Sequence, residues 1–314
     1  MTSLRTLGSS DLEVFPLSLG GNVFGWTADR AASFDVLDAY AAAGGNFIDT
    51  ADAYTFFVDG NKGGESETLI GEWIAERGNR SDLVIATKVG ALPEYKGLSA
   101  ATIKGAADAS LQRLGTDYID LYYTHYDDPS VPVEEFIGAL DELVRAGKVR
   151  AIAASNISPE RLQEALDFSD REGLARYVAL QPHYNLVSRD TYEGSLQQVA
   201  SRSGIAAVPY FGLAAGFLTG KYRPGTPVES ARSSRAEEYV GTERGDRVLA
   251  ALDEIAQAHD AQVATVALAW LAAQPTVAAP IASARTVEQL PALLAVADLE
   301  LTPAEISTLN AASA

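Results

Sequence analysis

The 314-residue chain is 47% hydrophobic and 21% charged, enough apolar material for a large buried core and too much for a disordered one. Its formal charge of −18 argues against nucleic-acid or anionic-membrane binding, which calls for a basic face. It contains no cysteine, which excludes disulfides, thiol nucleophiles and zinc-thiolate sites. The N-terminus has no apolar stretch of signal-peptide length, and no segment reaches the roughly 18 apolar residues of a membrane span, so a soluble, cytoplasmic protein is expected.

A hairpin opens the chain, with Leu4 to Leu7 and Leu12 to Val14 joined by the turn Gly8-Ser9-Ser10-Asp11. Short β-rich runs then alternate with longer stretches of helical periodicity. The predicted strands are Leu17-Ser18-Leu19, Asn46-Phe47-Ile48, Leu83 to Thr87, Ile119 to Thr124, Arg150 to Ala154, Val178 to Leu180, Ile205 to Pro209 and Ala278 to Ala282. The intervening helices are predicted over 31–43, 66–77, 99–114, 133–146, 158–168, 189–201 and 247–274, the last as two pieces, with a terminal helix over 301–311. Eight strand-helix units read as a (β/α)8 TIM barrel of one domain, 1–314, with the hairpin capping the barrel bottom. An open doubly wound sheet would need a G-x-G-x-x-G turn after the first strand, and Gly20-Gly21-Asn22-Val23-Phe24-Gly25 lacks that spacing. Between the seventh strand and the next helix, Gly212 to Gly245 form a stretch too long for a simple connection.

Active sites of such barrels lie at the C-terminal ends of the strands. The exits carry, in order, Gly20-Gly21, Asp49, Lys88, His125, Ser155-Asn156, Gln181, Tyr210 and Ser283-Ala284-Arg285. Lysine, histidine and glutamine are not turn residues, so their placement is informative. Asp49 is followed five residues later by Tyr54. A lysine beside that pair would be held by the carboxylate and would make the phenol a better acid.

The motifs resemble those of the aldo-keto reductases. They are Asn46-Phe47-Ile48-Asp49-Thr50-Ala51-Asp52-Ala53-Tyr54, Glu65-Ser66-Glu67 before Ile70-Gly71, Ala86-Thr87-Lys88-Val89, and Asp117-Tyr118-Ile119-Asp120-Leu121 leading to His125. Further along come Ala154-Ser155-Asn156, Gln181-Pro182-His183-Tyr184-Asn185, Gly216-Phe217-Leu218-Thr219-Gly220-Lys221-Tyr222 and Pro280-Ile281-Ala282-Ser283-Ala284-Arg285-Thr286. The resemblance covers the chain from hairpin to terminal helix.

It implies an NADPH-dependent reductase of aldehydes or ketones, with Asp49, Tyr54, Lys88 and His125 as the catalytic tetrad. Reduction of a carbonyl needs a proton or strong hydrogen bond at oxygen as negative charge develops. Tyr54 would donate it, Lys88 would stabilise the phenolate, Asp49 would anchor Lys88, and His125 would orient the carbonyl. On the cofactor side the resemblance implies Gly21, Asn22, Ser155, Asn156, Gln181, Tyr210, Gly212, Leu213, Lys221, Ser283, Arg285 and Gln289. Of these, Ser155, Asn156 and Gln181 would meet the nicotinamide carboxamide, and Tyr210 would stack on the ring. Arg285, opening a helix, would meet the adenosine 2′-phosphate of NADPH (NADP+), with Gln289 at the adenine. The family often has Asn four residues beyond that glutamine, where this chain has Leu293. The stretch after Tyr210, with Lys221 and Arg223, would fold over the pyrophosphate.

Candidate substrate contacts are Phe24, Trp26, Phe56, Phe57 and Tyr126. The long C-terminal substrate loop of some members is missing, which predicts an open pocket. No metal site is expected, and Asp127-Asp128 is read as a turn. His183 and His259 are read as structural. The chain also resembles the potassium-channel β-subunit branch, which implies as an alternative a cofactor-binding regulatory protein with little turnover. Neither substrate nor oligomeric state is legible.

Overall fold

The computed structural model describes residues 3–225, 228 and 233–314. Two strands, β1 (Arg5–Thr6) and β2 (Glu13–Val14), form an antiparallel hairpin. Eight parallel strands follow: β3 (Ser18–Gly20), β4 (Phe47–Asp49), β5 (Val84–Val89), β6 (Ile119–Thr124), β7 (Val149–Ser155), β8 (Tyr177–Gln181), β9 (Ala206–Ala207) and β10 (Ile281–Ala282). They pair in chain order, and β10 pairs with β3. Between β9 and β10 the ring is closed by backbone bonds, with Ala278 N–H donating to Ala207 O (2.9 Å) and Ile281 N–H to Pro209 O (2.8 Å). The result is the (β/α)8 barrel expected.

The helices are α1 (Arg30–Ala42), α2 (Glu65–Arg77), α3 (Ala100–Leu114), α4 (Val133–Arg145), α5 (Pro159–Glu172), α6 (Ser195–Arg202), α7 (Ser233–Glu237), α8 (Glu243–Ala258), α9 (Val263–Ala272), α10 (Leu290–Leu294) and α11 (Pro303–Ala312). Short polar side chains set several starts. Asp29, Ser99, Ser158 and Thr242 each accept a backbone N–H of the first turn of α1, α3, α5 and α8. Sequence periodicity placed the start of the sixth helix at Arg189, but α6 begins at Ser195. Gly194, at φ +99°, cannot sit inside a helix, and Arg189 turns away to bind Glu193 and the carbonyl of Asn310. The predicted 247–274 helix breaks into α8 and α9 at Asp260, which takes φ +48°.

Alternation along the strands divides the core in two. Inward residues, among them Phe47, Val84, Leu121, Tyr123 and Ala153, fill the barrel, and Leu7, Leu12 and Val14 of the hairpin close its lower end. The seal needs Gly8, at φ +60°, where a Cβ would stand 2.1 Å from Val178 O. Outward residues pack under the helices in a second, larger cluster. The 212–245 stretch is anchored to that cluster by Phe217, Leu218, Tyr222 and Ala236, all buried. Residues 226, 227 and 229–232 of the stretch lie outside those described.

At the bottom of the barrel Asp120 is wholly buried in β6. It accepts from Arg80 Nη2 (2.7 Å), Arg150 Nη1 (2.8 Å) and Ile85 N–H (2.9 Å), tying β5, β6 and β7 together far from the strand exits. Asp120→Ala removes one partner and leaves two guanidinium groups and a buried N–H facing a void. It should cost about 3–5 kcal/mol of unfolding free energy in urea titrations; a loss under about 1 kcal/mol would contradict this account of the clamp.

Candidate active site

Asp49 ends β4 and is buried at the strand exits. The next strand delivers Lys88, whose side chain has no exposed surface. Its Nζ lies 2.9 and 2.8 Å from the two Asp49 oxygens, 2.8 Å from Thr50 O and 2.7 Å from Tyr54 Oη. The Tyr54 hydroxyl in turn donates to Asp49 Oδ2 (2.9 Å). Gln181, ending β8 on the far side of the barrel, donates from Nε2 to Asp49 Oδ1 (2.8 Å). Burial pulls the Lys88 ammonium downward in pKa, and Asp49 works against that pull by charge and hydrogen bond.

His125 follows β6 and faces Tyr54 edge-on, ring centroids 6.2 Å apart. The residue is half-buried, and among the described residues its buried Nδ1 has no hydrogen-bond partner. Burial, and then the charge of Lys88, push its pKa down to about 3, so the ring is neutral at physiological pH. A proton on Nδ1 would be an orphaned buried donor, so the Nε2–H tautomer fits. Tyr126 stacks on His125 at 4.9 Å.

Above these groups lies a cavity of about 780 Å³. Asp49, Tyr54 and His125 line it, and Lys88 sits behind them. Of the other expected residues, Asn22, Ser155, Asn156, Gln181, Tyr210, Leu213, Lys221, Ser283, Arg285 and Gln289 also line it. Asn156 joins several: it donates to His125 O (2.8 Å) and Ser155 Oγ (3.1 Å) and accepts from Tyr210 Oη (2.9 Å). Across the barrel seam Ser283 donates to Asn22 Oδ1 (2.7 Å).

Gly21 and Gly212 do not line the cavity. Gly21 packs against the active strand, its N–H donating to Asp49 O (2.7 Å), and a Cβ there would meet Ser66 Oγ at 2.8 Å. Gly212 lies against Leu268 and Leu271. Arg285 does not open a long helix. A three-residue 3-10 turn (Val287–Gln289) and the five-residue α10 follow it, too short to add a useful dipole, so any anion there depends on the guanidinium. Among the described residues neither Arg285 nor Lys221 has a carboxylate at salt-bridge distance. Arg223 is instead paired with Asp253 (2.7 Å).

The aromatic residues separate. Trp26 and Tyr126 line the cavity, and Phe57 meets Trp26 edge-on at 5.3 Å. Phe56 is exposed outside the lining, and Phe24 has no exposed surface and packs into the outer core. The turn 23–28, closed by Gly25 N–H to Ala28 O (2.9 Å), directs Phe24 inward. His183, read as structural, also lines the cavity and stacks on Tyr210 at 5.4 Å. Arg235, Glu238 and Tyr239 reach the lining from the 212–245 stretch, where no periodicity could have placed them. Phe211, Ala214 and Ala215 line it too and take φ between +47° and +56°, backbone that non-glycine residues adopt only under constraint. Asp127 pairs with Arg161 (3.2 Å), and Asp128 accepts from Ser130 N–H and Leu98 N–H, the turn expected of that acidic pair.

The Aldo/keto reductase family profile matches residues 16–314. "Protein tas" of Escherichia coli (strain K12) is 34% identical, over 96% of this chain and 95% of that protein. The "Aryl-alcohol dehydrogenase [NADP(+)]" of Phanerodontia chrysosporium is 30% identical, over 95% of this chain and 82% of its own length. A "Probable voltage-gated potassium channel subunit beta" of Arabidopsis thaliana is 33% identical, over 91% and 88%. With this profile over almost its whole length, the chain belongs to the aldo/keto reductase family of oxidoreductases.

Proposed function

We propose that the chain is an NADPH-dependent reductase of aldehydes or ketones, with Tyr54 as proton donor. The observation that carries this reading is the single buried cluster in which Lys88 Nζ stands 2.7 Å from Tyr54 Oη while both oxygens of Asp49 hold it. The donor set of the cavity suits a nicotinamide dinucleotide. An aromatic face at Tyr210, the amides of Asn156 and Gln181, the hydroxyls of Ser155 and Ser283, and the cations Lys221 and Arg285 line one continuous space. NADPH, when bound, supplies the hydride.

The protein's part is the proton. As a carbonyl oxygen gains charge, Tyr54 turns its hydroxyl hydrogen from Asp49 to that oxygen. The charge then left on the phenolate faces the Lys88 ammonium, which is already in place and needs no reorganisation. Asp49 fixes Lys88, and Gln181 fixes Asp49 from the opposite wall. A neutral His125 offers an N–H hydrogen bond to orient the carbonyl, not a second proton. Trp26 and Tyr126 flank the entrance as apolar contacts for the substrate. Relatives named as potassium-channel β subunits support a second reading, a cofactor-binding regulatory protein with little turnover.

Tyr54→Phe should lower kcat by about 10²–10⁴-fold on any aldehyde that the wild type reduces, with NADPH binding unchanged by fluorescence titration. Unchanged turnover would remove Tyr54 as donor, and no turnover in the wild type across a broad carbonyl panel would favour the regulatory reading. Arg285→Ala should weaken NADPH at least about tenfold and NADH little, the cost of one charge-assisted phosphate contact; equal losses for the two would take the 2′-phosphate away from Arg285. The His125 imidazole signals in NMR spectra should stay flat from pH 5 to 8. Because the folded-state pKa is depressed to about 3, protonation begins only well below that window; a midpoint near 6.5 would contradict a neutral orienting group.

A further inference from the structure

Gln262, Ala264, Gln289, Ala292 and Leu293 also line the cavity, where α9 meets α10 through Thr265 and Ala292 and where Gln289 bonds the Arg285 backbone. Three of these five side chains are hydrocarbon, and Leu293 is buried into the outer core. The carbonyl of Ala292 is occupied by Thr265 Oγ1–H (2.6 Å). Gln289 is committed on one side, its Oε1 accepting the Arg285 N–H at 2.9 Å.

This wall has a consequence for the base it would face. Adenine and hypoxanthine share the purine plane and the N7 acceptor, and they differ along one edge. There adenine presents a ring acceptor and an amino donor, hypoxanthine a ring N–H donor and a carbonyl acceptor. Telling them apart requires a protein group of fixed polarity at that edge. Ala264, Ala292 and Leu293 supply none. The Gln262 amide can turn end for end and suit either base. Gln289, with its oxygen held by the backbone, has only its NH2 to offer, and both purines have acceptors for it, N7 in each, N1 of adenine and the hypoxanthine carbonyl. Hydrophobic walls discriminate weakly between ligands of equal shape, whereas a site built to hydrogen-bond one edge rejects the other strongly.

We propose that this part of the cavity holds the purine of the dinucleotide by shape and apolar contact without reading its 6-position, so that adenine and hypoxanthine dinucleotides bind alike. The inference rests on the NADPH reading above. It is tested on the full chain by quenching of tryptophan fluorescence, Trp26 lying in the cavity lining, with NADPH and reduced nicotinamide hypoxanthine dinucleotide phosphate titrated in parallel. The dissociation constants should agree within about twofold. In Ala292→Asp, a half-buried lining position, a carboxylate accepts from the adenine amino group and repels the hypoxanthine carbonyl, so the ratio should shift at least about tenfold toward adenine. A wild-type preference for adenine above about fivefold overturns the inference while leaving the NADPH reading intact, as does an unshifted ratio in a variant whose circular dichroism matches the wild type. If the variant does not fold, the wild-type ratio alone decides. Failure of both dinucleotides to bind sinks the two together.

Discussion

An ammonium with no exposed surface keeps its charge only where the fold surrounds it with oxygen, and the barrel is arranged about Lys88 to do this. β4 brings both oxygens of Asp49, the following turn brings Thr50 O, and the loop beyond it brings Tyr54 Oη. Removing any one would leave a buried charge short of a partner, the kind of change that costs several kcal/mol. The same constraint reaches across the barrel, because Gln181 of β8 completes the shell of Asp49. A site whose members come from β4, β5, β6 and β8 needs the sheet curled far enough for Gln181 of β8 to reach Asp49 of β4.

A second set of carboxyl groups lies behind the first. Glu67 of α2 is wholly buried and accepts from Thr87 Oγ1 (2.5 Å) and Arg113 Nε (2.6 Å), which seats α2 and α3 against β5. Asp52 is buried too, and among the described residues neither of its oxygens has a partner at hydrogen-bond geometry. Burial first, and Glu67 second, raise its pKa to about 8. Asp52 is thus largely protonated at neutral pH. Asp49, not Asp52, is the carboxyl group in hydrogen-bond contact with Lys88.

Much of this was legible in the sequence for a physical reason. Parallel strands buried on both faces read as short apolar runs, and topology sets a polar residue ending such a run at the mouth of the barrel, so Asp49, Lys88, His125, Gln181 and Tyr210 could be placed from the sequence alone. Loops carry no such period. Phe24 and Trp26 are two residues apart in one turn, yet the first enters the core and the second lines the cavity. Nothing in composition or spacing separates them, because backbone hydrogen bonds within the turn decide it. Arg235 and Glu238 were likewise invisible. They reach the cavity only because Phe217, Leu218 and Tyr222 pin the 212–245 stretch to the barrel, and that pinning depends on residues distant in the chain. Gly194 shows a simpler failure, where one left-handed glycine outweighed six residues of helical pattern.

The acidic chain and the cations of the cavity pull in opposite directions, since a charge of −18 repels a phosphate-bearing ligand. Distance resolves the conflict. At physiological salt the Debye length is about 8 Å, so carboxylates spread over the outside are largely screened from a ligand inside. Lys221 and Arg285 line the cavity itself and act at contact distance, where screening is slight. The same logic separates the two ends of the ligand. On the proposed reading a phosphate would be met by charges that stand out against any background, whereas the base would meet mostly hydrocarbon and two amides, Gln262 and Gln289, that suit either purine. On that reading recognition would rest on charge at Arg285, on hydrogen bonding around Asn156 and on shape at the purine end, each confined to the few ångströms over which it acts.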